Sequence, residues 1–387
     1  QNDDFQKSLF WKWIDAGDIK NWVNGKQRHC QDTLPELVCR LILAHTGGAM
    51  REFDFPSGDS VTTGGWDGRL KTPVVAPFFP NESSGWEIGT DSSAQTKAEA
   101  EYTKRSADPL GFVPSETTFV FVTPRPWPGR VKWRNEKRAE GTWKDVRVIN
   151  TDGLVQWLDS TPAVALWLAR QIGKVVSDGI RDLEAVWEEW SIGTNPVMTP
   201  ALVIGGRTRD AETLQKWVAD RPAILEVQGD HPDEAYAFLY ASIVTLPDTE
   251  RFQALARCVV VENIGELRQL IQAFQNYPLI IAGPGECLNA AHAAVAKGHH
   301  IFISMDATLI GIRNLLRLAR PQRSVVEKIL HEGGLSEADA QRIARDSGRS
   351  IPVLRRHLFQ SNAVSAPAWA KAESTKVLLS VLFANSW

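Results

Sequence analysis

The chain has 387 residues, 43 of them basic and 46 acidic, for a formal net charge of −3. That length supports a large core and two or three domains, and the near-balance of charge excludes a global field for nucleic acid, leaving only a local patch to attract it. Cys30, Cys39, Cys258 and Cys287 make no C-x-x-C pair, and no apolar run reaches the roughly 20 residues of a membrane span, so we expect a cytoplasmic protein with reduced thiols, no structural zinc and no membrane partner.

Residues 34–44 carry apolar side chains at helical spacing, with Pro35 suited to a first turn and Gly47-Gly48 ending the helix. Residues 50–56 read as extended, Gly64-Gly65 as a turn, residues 85–90 as a short strand and residues 94–105 as a helix rich in Ala, Glu and Lys. The run 117–123 is continuously apolar up to Pro124, the pattern of a strand buried on both faces. A strand over 145–149 and an amphipathic helix over 154–172 follow, so the first unit, residues 1–175, is expected to be an α/β sheet covered by helices.

Residues 64–105 hold the chemistry. Asp67 stands in the turn Gly64-Gly65-Trp66-Asp67-Gly68, where backbone can approach a ligand closely. Glu87 lies between Trp86 and Ile88, and because side chains alternate along a strand it should face away from both. Lys97 sits near the start of the next helix, with Tyr102 and Arg105 further along it. Two carboxylates and a lysine are what a divalent cation needs to hydrolyse a phosphodiester, and oxygen ligands favour Mg2+ or Mn2+.

These elements, in this order, resemble the PD-(D/E)xK restriction-endonuclease superfamily, in particular its Mrr-like branch, over roughly residues 30–150. The resemblance implies metal binding by Asp67 and Glu87, joined by Glu36 from the preceding helix. Gly89 stands where the family motif has its lysine, and the resemblance assigns that role to Lys97 from the helix. Between residues 123 and 148, Arg125, Arg130, Lys132, Arg134, Lys137, Arg138, Lys144 and Arg147 alternate with Trp127, Trp133 and Trp143. Cations for phosphates and aromatic faces for bases make a candidate nucleic-acid surface, to which Tyr102 and Arg105 would add; the alternative is a solvated loop with its tryptophans packed beneath it.

Residues 176–200 read as a linker containing a short acidic and aromatic helix over 182–190, broken at Gly193-Thr194-Asn195-Pro196. From Leu202 to Ser304 strands and helices alternate, which specifies a largely parallel three-layer sheet over 201–306. Gly206-Arg207, the strand Val259-Val260-Val261 ending in Glu262, and the strand 278–282 resemble the adenine entry, Walker B and sensor positions of STAND and AAA-type NTPases, with residues 307–387 as a helical lid or winged-helix-like region. The phosphate loop departs from G-x-x-x-x-G-K-[ST]: Gln228-Gly229-Asp230-His231-Pro232-Asp233-Glu234 brings three acids and no lysine, so ATP is expected to bind weakly or not at all. Of the two nucleotide-site candidates, Arg207 and Glu262, the second reads better as a surface acid. The chain starts at Gln1 and stops after an apolar run at 377–384, which suggests a piece of a longer protein. The combined expectation is a metal-dependent nuclease acting on nucleic acid, DNA in preference to RNA, with little sequence specificity. Its degenerate NTPase-like module would control it through self-assembly of the chain, as in prokaryotic antiviral effectors. The alternative is an inactive nucleic-acid-binding or scaffold protein.

Overall fold

The computed structural model describes residues 12–46, 50–56, 65–176, 179–274, 277–305 and 315–359. Gly47, Gly48, Gly64 and the run 377–384 therefore lie outside the described residues. Two mixed α/β sheets organise the chain.

The first unit begins with α1 (Ala16–Gly25), whose N-terminus is closed by reciprocal hydrogen bonds between Asp15 and Asp18, and α2 (Gln27–Thr46). There follow β1 (Glu52–Asp54), β2 (Gly68–Thr72), β3 (Glu82–Ile88), α3 (Ala94–Ala107), β4 (Thr118–Val122), α4 (Arg130–Ala139), β5 (Asp145–Ile149), α5 (Thr151–Asp159) and α6 (Pro162–Ile172). The strands lie in the order β1-β2-β3-β4-β5. The first three pair antiparallel, and β3, β4 and β5 run parallel.

The strand β4 is buried at all five positions because both faces of the sheet are covered. Val120 and Val122 join Trp86, Leu70 and Trp157 on one side, while Phe119 and Phe121 join Tyr102, Trp133 and Trp143 on the other. The expected helix 154–172 is two helices, broken at Ser160-Thr161 because Pro162 has no N–H to donate and suits the start of a new helix. The expected helix 34–44 starts earlier, at Gln27, so Pro35 lies inside it. Pro35 removes the donor that the carbonyl of Gln31 would otherwise meet one turn on.

The expected linker is structured. It supplies β6 (Ile180–Asp182), α7 (Leu183–Ser191) and α8 (Pro200–Ile204). Leu202-Val203-Ile204 is thus a short helix, opened by the Thr199 side chain and closed by left-handed Gly205. The second unit continues with α9 (Thr208–Ala219), β7 (Ile224–Gln228), α10 (Pro232–Val244), α11 (Asp248–Leu255), β8 (Cys258–Val261), α12 (Ile264–Ala273), β9 (Ile280–Pro284), α13 (Leu288–Ala296), β10 (His300–Met305) and β11 (Leu316–Arg317). Three helices close it: α14 (Arg323–Glu332), α15 (Glu337–Asp346) and α16 (Ile351–Leu358).

Its strand order is β11-β7-β10-β9-β8-β6, parallel throughout except for β6, which pairs antiparallel with β8. The neighbours of β7 are β10 and β11, so the chain reverses its direction of winding there, and the crevice at its carboxyl end is where a doubly wound sheet receives ligands. One apolar cluster runs through both units: Trp13 stacks on Phe274 at 6.4 Å between ring centroids, and His45 meets Tyr277 edge-on at 4.6 Å. Among the described residues no helix is long and apolar enough to cross a membrane.

Candidate active site

Asp67 precedes β2 and is half-buried; its Oδ2 accepts a hydrogen bond from the backbone N–H of Ile88 at 2.7 Å. That contact pins the turn to the carboxyl end of β3. Trp86 is fully buried and Ile88 packs on the same side, while Glu87 faces the opposite one, against α3. The two carboxylates lie close enough for a hydrogen bond between their side chains. Burial raises Asp67 above the usual carboxylate range, against the pull of the Ile88 N–H. Burial, and then the charge of Asp67, push Glu87 up to about 8, with Arg105 opposing. Each acid therefore holds a proton more firmly than an exposed carboxylate does, and a cation bound there would compete with that proton.

Lys97 comes from the first turns of α3, which Ser93 caps by accepting from Thr96 N–H. A Cβ on Gly89 would stand 2.8 Å from Lys97 Cγ, so the lysine stem passes over the bare glycine into the space that a side chain at 89 would fill. The ammonium of Lys97 pairs with Glu101 at 2.8 Å, one turn further along the helix. That hydrogen bond raises the lysine, and Glu101, although opposed by burial, is held ionised by Lys97 and Lys104. A pocket of about 210 Å³ opens here, lined by Asp67, Gly89, Thr90, Asp91, Lys97 and, from α2, Gln31 and Pro35.

Asp67, Glu87 and Lys97 are brought together; the other expected members are not. Glu36 lies on a different face of α2, where its carboxylate pairs with Arg40 at 2.8 Å, and Arg40 also binds Glu184 at 2.6 Å. Because α2 starts at Gln27, Glu36 is a mid-helix acid with a basic partner four residues on, and the residues that reach the pocket are Gln31 and Pro35. Tyr102 is buried and donates to the carbonyl of Lys137 at 3.4 Å, so it contacts the core and not phosphate. Arg105 is also buried: it binds Glu87 and the carbonyl of Gly65, and its guanidinium lies 5.0 Å from the Trp66 ring centroid. It serves the acidic pair as a partner and is turned away from solvent.

In the basic stretch, Trp127, Trp133 and Trp143 are buried beneath the loop and helix, as the alternative reading had it, and offer no face to a base. Lys132 is exposed with only Glu136 nearby at 3.9 Å; Arg125 is tied to the Thr90 carbonyl at 3.1 Å; Arg130 reaches Asp152 at 3.5 Å. Glu101 went unnoticed in the sequence, although its spacing of four residues from both Lys97 and Arg105 was the available signal.

In the second unit, Arg207 and Glu262 do not share a site. Glu262 is exposed at the end of β8, three strands from β7, or about 14 Å at ordinary strand spacing. Arg207 is buried and binds Glu234 at 2.6 Å, and Glu234 in turn accepts from the backbone N–H of Asp230 at 2.8 Å. Glu234 thus sits inside its own loop, where the resemblance would place a phosphate. A Cβ on Gly229 would stand 2.9 Å from its carboxylate oxygen.

No protein-family model matches the chain, and no curated protein matches it significantly.

The donor set suits a hard divalent cation: two neighbouring carboxylates, with no sulfur or imidazole in the pocket among the described residues. Among the described residues no group of three or more His, Cys, Asp or Glu side chains gathers in a metal-binding arrangement, so water or substrate oxygens would complete the shell.

Proposed function

We propose that the first unit is a metal-dependent nuclease with its centre at Asp67, Glu87 and Lys97. One observation carries this reading: two buried carboxylates meet at the carboxyl end of β3, and a lysine crosses Gly89 into the pocket that Asp67 lines. When bound by Asp67 and Glu87, Mg2+ or Mn2+ would supply Lewis acidity to a phosphodiester and lower the pKa of a water. Lys97 is placed to orient that water or to neutralise charge growing on the phosphate, with Glu101 holding its ammonium in position. Arg105 fixes the Glu87 carboxylate and offsets part of the cost of ionising it. The bare Gly89 leaves room for the lysine stem.

The test is plasmid degradation with Mg2+ and with a chelator. Asp67→Ala and Glu87→Ala should each reduce cutting at least about 10²-fold, the scale of losing a group that acts in the transition state. Cutting that persists in both variants would falsify the assignment. The second unit is proposed to be a nucleotide-free controlling module, because Glu234 occupies its switch-point loop. An inactive, nucleic-acid-holding chain is the second reading. It draws on the Arg105–Glu87 pair, which occupies one oxygen of the acid that a cation would need.

A further inference from the structure

Four guanidinium groups line one groove at the open edge of the first sheet. Arg130, Arg134 and Arg138 stand on a single face of α4, one turn or about 6 Å apart, and Arg147 faces them from β5. The groove encloses about 390 Å³. Only two carboxylates answer these four charges: Asp152 lies 3.5 Å from Arg130, and Asp145 is shared by Arg138 at 2.6 Å and Arg147 at 3.5 Å. Arg134 is left with a neutral partner, the Asn135 amide oxygen at 3.3 Å, and has no carboxylate in ion-pair range among the described residues. Burial and the charges of Arg138 and Arg130 depress its pKa, the mark of crowded cations.

The position of the groove adds to its charge. The parallel strands β3, β4 and β5 end on one edge, so the Asp67–Glu87 pair and Asn150, which follows β5, are two strand spacings apart, about 10 Å. Arg130 stands at that edge beside Asp152, and Arg138 lies a little over two turns back along α4, near the start of β5. The row of cations therefore leads away from the acidic pocket.

We infer that this groove holds successive phosphates of a nucleic-acid backbone that runs on towards the pocket lined by Asp67 and Lys97. The inference rests on the nuclease reading only for the nature of the polyanion. It narrows the basic stretch of residues 123–148 to one groove with Arg134, Arg138 and Arg147 at its centre, and leaves out Tyr102, Arg105 and Lys132. Guanidinium forks suit phosphate oxygens, and a repeat along one helix face suits a polymer more than a single small anion.

The test is fluorescence anisotropy of labelled duplex and single-stranded oligonucleotides, with chelator present so that cutting plays no part. For Arg134→Gln/Arg138→Gln, affinity should fall at least about tenfold and the salt slope should drop by about 1.8 for duplex, or 1.4 for single strand, the value for two lost phosphate contacts. Arg134→Lys/Arg138→Lys should keep the slope. Should the glutamine pair not fold, Arg134→Gln alone removes no ion pair and should lower the slope by about 0.9 on duplex. Unchanged affinity and slope in the glutamine variants would overturn the inference, as would equal competition by polyglutamate of matched charge. If the groove binds as described but the parent never cuts, the nuclease reading fails alone.

Discussion

The two units each bury a carboxylate against an arginine, and the two pairs differ in what surrounds them. In the second unit Arg207 and Glu234 are each 2% exposed, one cation answers one anion, and the remaining carboxylate oxygen is taken by a backbone N–H. In the first unit Arg105 answers Glu87, but Asp67 adds a further acid, so the site carries an excess of negative charge relieved by a proton. The Glu234 carboxylate is thus fully engaged, while Nε and Nη1 of Arg207 are buried with no hydrogen-bond partner among the described residues. An overfull acidic pair is poised to accept a cation, and a pocket lies open beside it. The same residue types thus make a structural plug in one unit and a candidate centre in the other.

The comparison can be broken first by removing each arginine. Arg207→Ala leaves Glu234 charged in a buried loop and should cost about 3–5 kcal/mol in denaturant unfolding. Arg105→Ala should cost less, because Glu87 can remain protonated beside Asp67; equal losses would show that protonation of Glu87 plays no part. The next effect is on activity: Lys97→Ala should lower cutting about 10²-fold, and Gly89→Lys in that background should restore part of it by returning a lysine to the strand position. No recovery in a folded double variant would weaken the view that the two positions address one point in space.

A smaller effect is expected with pH. Glu87 has a folded pKa of about 8 against an ordinary value of 4.5, so the folded state holds the extra proton between these limits. Its contribution to stability is therefore greatest below 4.5, declines as pH rises, and is fully lost above about 8. Glu87→Gln should flatten that slope in melting curves without added metal, and Mg2+ affinity should rise with pH over the same window. The smallest expected effect is that of ATP: at about 1 mM it should stabilise the chain by less than about 0.4 kcal/mol, since a Kd above that concentration gives no more. A larger saturable shift would show that Glu234 yields its place.

Much of the first sheet was legible because its patterns are local. The alternation around Glu87 and the unbroken apolar run of β4 follow from how a strand covered on both faces must be written. Lys97 was assigned only through the resemblance, because Gly89 stands where that motif has its lysine; no local pattern in the sequence pairs the two residues. Glu36 misled because its meaning depended on where α2 begins, and the seven residues before Leu34 could not be assigned to the helix by apolar spacing alone. Arg105 and Tyr102 misled because a long polar side chain reads as exposed until a buried partner is known, here Glu87 and the Lys137 carbonyl. The linker reading failed at β6, whose three residues are too short for a periodic signal and are held by pairing with β8.

The apolar seam joining Trp13 to Phe274 and His45 to Tyr277 has a practical corollary. Cutting the chain between the two sheets would lay bare aromatic surface on both fragments, so the halves should melt together in one transition and resist separate expression. Whatever state the rear sheet adopts is then felt at the front through a shared apolar seam.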